Sequence, residues 1–221
     1  MILKTEHIRI KKLTEEFISE CIKNEDPKGL CFATSYPLHI YLLTKNIKSK
    51  LIAGKVPKPK PVDANFQYDH FWLQIDKEGT IIDPTIMQFS GDAKTQIYVG
   101  KLDENETTKT YIVNEDHSNY WFQSVYNTWR DAFADPYYYI NDFTKRSIVY
   151  QIRLASILHV EMNRLPNPDE IINKYYQDYF GPIFIFLRKW KNGNSVVEID
   201  MEKMHPNFEK MLSEALELAL D

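Results

Sequence analysis

Residues 66–85 read FQYDHFWLQIDKEGTIIDPT and contain the pattern of a β-hairpin. A strand rich in aromatic residues is predicted over 66–75, and Asp76-Lys77-Glu78-Gly79 follows it as a turn. A second strand is predicted over 80–83, and a turn this short folds it back along the first strand. We therefore expect an antiparallel sheet that contains this hairpin.

A helix is predicted upstream of the hairpin, from about residue 29 to residue 45, with Cys31 at its beginning. Pro37 lies inside it and predicts a kink or a later start, because proline donates no backbone hydrogen bond. The sequence thus predicts an α+β fold, with the cysteine helix packed on the antiparallel sheet. Apolar spacing predicts the other elements of this half: a helix over about 12–23 and strands over 50–56, 96–100 and 108–113.

Cys31, His70 and Asp83 supply the three groups that thiol catalysis requires: a nucleophile, a base and a group that orients the base. A cysteine at a helix N-terminus meets the positive end of the helix dipole, which favours the thiolate. A histidine in a neighbouring strand can accept the thiol proton and later donate it to the leaving group. A carboxylate on the next strand can hold the imidazole in one tautomer. We expect His70 and Asp83 to be close across the hairpin.

These segments resemble the transglutaminase-like branch of the papain-like cysteine protease superfamily. The resemblance covers about residues 29–90 and is carried by Gly29-Leu30-Cys31, by His70-Phe71-Trp72-Leu73-Gln74-Ile75 and by Ile81-Ile82-Asp83-Pro84-Thr85, continued as Ile86-Met87-Gln88-Phe89. It implies a papain-like core in which Cys31 is the nucleophile, His70 the general base and acid, and Asp83 the orienting carboxylate. The family includes peptidases, transglutaminases, deamidases, deglycosylating amidases and acyltransferases, so the resemblance implies a chemistry rather than a substrate.

Two further residues are weaker candidates for contact with the substrate. Asn24 lies seven positions before Cys31 and is the candidate side chain for an oxyanion hole, beside the Cys31 backbone N–H. Trp72 shares a strand face with His70, and either it walls the cleft or it packs in the core. Cys21 falls on the apolar stripe of the first helix, where a cysteine acts as a small hydrophobic residue.

The pattern changes after about residue 115. We expect residues 1–115 to form the catalytic core and residues 116–221 to form a helical extension or cap on it, as one compact unit. No Ser- or Gly-rich linker marks a boundary between them. Helices are predicted near 118–131, 143–164, 168–180 and 203–220, and a hairpin over 184–200.

Composition excludes several other functions. The net charge of −4 gives no basic field for a nucleic acid or an anionic membrane. The chain has seven glycines, and the closest two, Gly91 and Gly100, are too far apart for a dinucleotide fingerprint, a P-loop or a nucleophile elbow. The histidines show no metal-ligand spacing, so we expect neither metal nor cofactor. Charges interrupt the first residues and only two cysteines occur, which predicts a cytoplasmic protein with free thiols.

Two functions remain open. The first is a cysteine-dependent hydrolase or acyl transferase that attacks an amide bond of a protein, a peptide or a small molecule through a thioester on Cys31. Hydrolysis is our first choice, because water is the default acceptor. The alternative is a catalytically silent protein of the same fold that binds a partner protein or peptide, a hypothesis favoured by Pro37 and by the lack of a secure oxyanion donor.

Overall fold

The structure of the chain is a computed structural model. The part that it describes is residues 2–21, 29–57, 67–75, 80–88, 97–101, 112–113, 154, 157–167, 170 and 172–174. The chain divides into two units, Met1–Gln123 and Ser124–Asp221.

The first unit contains helices and an antiparallel sheet, which is an α+β arrangement. Its helices are α1 (Ile2–Cys21) and α2 (Cys31–Thr44), and a short 3-10 helix covers Ile86–Gln88. Its strands are β1 (Lys50–Pro57), β2 (Gln67–Gln74), β3 (Thr80–Asp83), β4 (Tyr98–Lys101) and β5 (Ile112–Val113). The strand order is β4-β3-β2-β1-β5, with every neighbouring pair antiparallel.

The hairpin predicted from residues 66–85 is confirmed in its two strands. Leu73 pairs with Ile82 and Gln74 with Ile81, and the backbone N–H of Ile75 donates to the carbonyl of Thr80 at 2.9 Å. The turn residues 76–79 lie outside the described part of the chain. Three of the four residues of β3 are apolar or β-branched and all four are buried, as expected of an inner strand of a sheet.

Helix α2 begins at Cys31, as the sequence predicts, and all its residues except Cys31 and Leu43 are buried. A helix that is mostly apolar and buried on nearly every side lies inside the protein and not at its surface. Its Phe32 ring meets Phe71 of β2 edge-on, with 5.1 Å between ring centroids.

Pro37 lies within the helix, so the expectation of a later start is wrong. The cost of the lost ladder bond is about 3 kcal/mol, which burial of the surrounding apolar residues offsets.

Helix α1 begins at Ile2, ten residues earlier than the pattern over 12–23 predicts. Its buried stripe extends through Ile10 and Thr14 to Phe17 and Ile18. Residues 5–9 are mostly exposed, so this part of the helix has no apolar stripe for a pattern to detect. The buried Thr14 hydroxyl donates to the Ile10 carbonyl at 2.9 Å. Phe17 packs against Tyr41 of α2, with 5.0 Å between ring centroids.

The described residues of the second unit lie mainly at 157–167. Residues 157–163 are helical, in agreement with the helix predicted over 143–164. The Asn163 amide and the Nε2 atom of His159 are hydrogen-bonded at 3.1 Å on this helix. The helices predicted over 118–131 and 203–220 and the hairpin over 184–200 lie outside the described part of the chain, as does most of the helix predicted over 168–180.

Candidate active site

Cys31 is the first residue of α2 and is partly exposed. Gly29 precedes it with a φ of 78°, a left-handed conformation that glycine adopts without strain and that turns the chain into the helix. No side chain caps this helix at Leu30. The first backbone N–H groups of a helix have no partner within it, so they can face a negative charge near Cys31.

His70 lies on β2 with its side chain fully buried, and its Nε2 atom is 2.7 Å from Oδ2 of Asp83. Asp83 ends β3 and is also fully buried. Extending the pairing of β2 with β3 puts Asp83 opposite Trp72, so His70 is its diagonal neighbour on the same face of the sheet. The structure therefore brings together the two residues that the sequence placed in facing strands.

Burial alone would lower the pKa of His70. The carboxylate charge of Asp83, the hydrogen bond to it, and the hydrogen bond and charge of Cys31 outweigh burial and raise the pKa of His70 to about 9. His39 shows the effect of burial without that pair, since burial lowers the pKa of His39 to about 4. The difference between the two histidines is due to Asp83 and Cys31, which both stabilise the imidazolium form of His70.

The two oxygens of the Asp83 carboxylate accept hydrogen bonds from different residues. Its Oδ2 accepts from His70, while its Oδ1 accepts from the Thr85 backbone N–H at 2.9 Å and from the Thr85 hydroxyl at 3.4 Å. An aspartate that binds the backbone two residues on is a typical turn former. The turn with Thr85 thus holds the Asp83 carboxylate in place, and this carboxylate orients the imidazole of His70.

Gln88, at the end of the 3-10 helix, joins the ring of His70 to the beginning of α2. Its Oε1 accepts from the backbone N–H of Gly29 at 3.0 Å, and its Nε2 lies 3.3 Å from His70 Nδ1 and 3.2 Å from Thr85 Oγ1. The Gly29 contact fixes which end of the amide is oxygen, because a backbone N–H can only donate. Local spacing does not predict this contact, since Gly29 and Gln88 are 59 positions apart, although Gln88 belongs to the motif that carries the family resemblance.

Ser35 ties α2 to the strand that carries His70. It lies one turn after Cys31, and its hydroxyl donates to the Phe71 carbonyl at 3.1 Å in a buried position. The bond holds the beginning of α2 beside β2, which is where Cys31 meets His70.

We expect the Ser35→Ala variant to lose about 1 kcal/mol of unfolding free energy, the usual value of one buried hydrogen bond. Urea denaturation followed by circular dichroism measures the loss. Ser19→Ala is the matched control, because the Ser19 hydroxyl donates to a carbonyl within its own helix in an exposed position. An equal loss in both variants would contradict a specific role for Ser35 in joining α2 to β2.

The two weaker candidates have different outcomes. Trp72 is 1% exposed and packs with Ile81, Ile52, Ile86 and Tyr98, and its ring stacks on His70 with 6.0 Å between centroids. Trp72 was predicted either to wall the cleft or to pack in the core, and its observed contacts are those of a core residue. Asn24 lies outside the described residues, and of Cys21 only the backbone is described.

In the described ranges, no three histidine, cysteine, aspartate or glutamate side chains gather in a way that would hold a metal ion. None of the helices in that same part of the chain has the length and apolar character needed to span a membrane.

No known family model matches the chain, and neither a curated protein nor a solved structure does. The class that the described residues define is an α+β protein with a buried histidine–aspartate pair next to a cysteine at a helix N-terminus.

Proposed function

We propose that the chain is a cysteine-dependent hydrolase that attacks an amide bond through a thioester on Cys31. The core would be papain-like, of the transglutaminase-like kind. The substrate is a protein, a peptide or a small amide, and an amine in place of water would make the same enzyme an acyl transferase. One observation carries the proposal: Cys31 is hydrogen-bonded to an imidazole that a buried carboxylate holds at 2.7 Å.

The roles follow from the two ring nitrogens of His70. Asp83 accepts the hydrogen of Nε2, so Nδ1 is the atom that holds the thiol proton of Cys31, and the raised pKa of His70 favours this protonated form. The sulfur then forms a bond to the carbonyl carbon, and the π electron pair moves onto the carbonyl oxygen. When that pair returns, the C–N bond breaks, and the amine leaves with the proton from His70. Water then hydrolyses the thioester, which yields the acid and restores the thiol.

The location of Cys31 also supports the proposal. The residue is a free cysteine, partly exposed, whereas the base and its carboxylate are fully buried. A substrate can therefore reach the sulfur while the imidazole stays shielded from water. Free thiols persist best in a reducing compartment, so a cytoplasmic location belongs to the proposal.

The alternative function is a catalytically silent protein that binds a partner. Pro37 lies inside α2 and still favours it, although the proline does not displace the start of the helix. Thiol reactivity separates the two functions. A silent protein has no need of a cysteine that reacts faster than an ordinary thiol.

We expect Cys31 to react with iodoacetamide at pH 6 at least about ten times faster than Cys21, because an ordinary thiol is almost fully protonated at that pH. The rates are measured by mass spectrometry of the two cysteine peptides. Cys21 serves as the internal control, and the Cys31→Ser variant verifies the assignment of the peptides. In His70→Ala, the Cys31 rate should fall to that of Cys21. Equally slow labelling of both cysteines in the unmodified protein would refute the proposed function.

A further inference from the structure

We infer that Gln88 is a catalytic residue whose side-chain N–H stabilises the oxyanion formed during attack by Cys31. This inference rests on the proposed function and gives it the oxyanion donor that the sequence did not provide. The observation behind it is the position of the amide, between His70 Nδ1 and the backbone of Gly29, two residues before the nucleophile.

The hydrogen bonds around Gln88 form a closed ring. Asp83 accepts from His70 and from Thr85, and the Gln88 amide contacts both His70 and Thr85. The Thr85 hydroxyl has one hydrogen, which it gives to Asp83, so it accepts one hydrogen of the Gln88 amide. The second hydrogen of that amide lies next to His70 Nδ1, the ring nitrogen that Asp83 leaves to Cys31.

The contact between Gln88 and Nδ1 is not a hydrogen bond when Nδ1 holds the proton of Cys31. The raised pKa of His70 favours that imidazolium form, in which Nδ1 is a donor. A donor cannot accept the second hydrogen of the Gln88 amide, although the two nitrogens are 3.3 Å apart. The amide cannot respond by turning over, because its oxygen is held by the Gly29 N–H at 3.0 Å. One N–H of Gln88 can therefore donate to a negative charge that forms near Nδ1 during the reaction.

The charge that needs this donor is the oxyanion of the tetrahedral intermediate. In that step the Cys31 sulfur bonds to the carbonyl carbon, the π electrons move to the oxygen, and the thiol proton resides on His70. Helix α2 has no side-chain cap, so the backbone N–H of Cys31 is suited to be the second donor. Two fixed donors on the developing charge are the usual requirement for acyl transfer.

Two reactions of Cys31 show whether Gln88 donates to the oxyanion or only positions His70. Alkylation by iodoacetamide needs the thiolate but forms no oxyanion, whereas acylation by 4-nitrophenyl acetate passes through a tetrahedral oxyanion and expels 4-nitrophenolate. Both rates are measured on the Cys21→Ser background, so that only Cys31 reacts. The variants are Gln88→Ala and Gln88→Met, and the methionine keeps the length of the side chain without an N–H donor.

We expect both variants to lower the ratio of acylation rate to alkylation rate by about 10² relative to the parent protein, the usual cost of one oxyanion donor. A ratio that stays unchanged, whether the two rates fall together or remain the same, overturns the inference and leaves the proposed function intact. If Cys31 in the parent protein reacts no faster than an ordinary thiol with either reagent, the proposed function fails and the inference fails with it. Should the alanine variant not fold, the methionine variant alone decides.

Discussion

Replacing Asp83 by alanine is expected to lower the unfolding free energy by about 3–5 kcal/mol, the range for removing one partner of a buried pair. Asp83 and His70 are both fully buried, with 2.7 Å between Oδ2 and Nε2. Without the carboxylate, burial acts on His70 as it acts on His39, and the histidine loses its proton at neutral pH. The two contacts from Thr85 are lost as well.

Urea denaturation at pH 7 measures this effect. Glu15→Ala is the matched control, because Glu15 pairs with Lys11 at 3.8 Å on the exposed side of α1. Such a surface pair contributes less than about 1 kcal/mol. Asp83→Asn keeps the turn with Thr85 but removes the charge. Its loss of unfolding free energy should therefore lie between the loss in Asp83→Ala and the loss in Glu15→Ala. A loss below about 1 kcal/mol in Asp83→Ala would show that the pair does not hold this part of the fold together.

The second large effect is the dependence of stability on pH. The pKa of His70 is raised from 6.5 to about 9, so its stabilising contribution is complete below pH 6.5 and is lost as the pH rises through about 9. Burial lowers the pKa of His39 from 6.5 to about 4, so its contribution is complete above pH 6.5 and is lost as the pH falls through about 4. Each change corresponds to roughly 3 kcal/mol over its full range.

We therefore expect the contribution of the two histidines to stability to be greatest near pH 6.5 and to fall on both sides. Urea denaturation between pH 4 and pH 9.5 tests this in the parent protein, in His39→Gln and in His70→Gln. The His70 variant should lose most of the alkaline dependence and the His39 variant part of the acid dependence, where carboxylates also titrate. An alkaline decline that persists unchanged in His70→Gln would show that another group causes it.

Local patterns predicted the elements that carry the candidate site. The beginning of α2 at Cys31 and the two strands of the hairpin follow from residue spacing, because short-range backbone preferences determine them. The proximity of His70 and Asp83 followed from the hairpin itself.

What the sequence could not predict are the contacts between distant residues. Ser35 meets the Phe71 carbonyl across 36 positions, and Gln88 meets the Gly29 N–H across 59 positions. Such bonds depend on how the elements pack, and no periodicity encodes them. The start of α1 is not predicted for a different reason: residues 5–9 are mostly exposed, so no apolar periodicity marks them as helical.

The order of the strands has a consequence for how the molecule tolerates thermal fluctuation. Among the described strands, β4 and β5 are at the two margins of the sheet, and both are short. His70 belongs to the middle strand, so fraying that begins at either margin must cross another strand before it reaches the imidazole. Local opening of the edge strands β4 and β5 can thus occur in the proposed enzyme while the general base, His70, stays aligned.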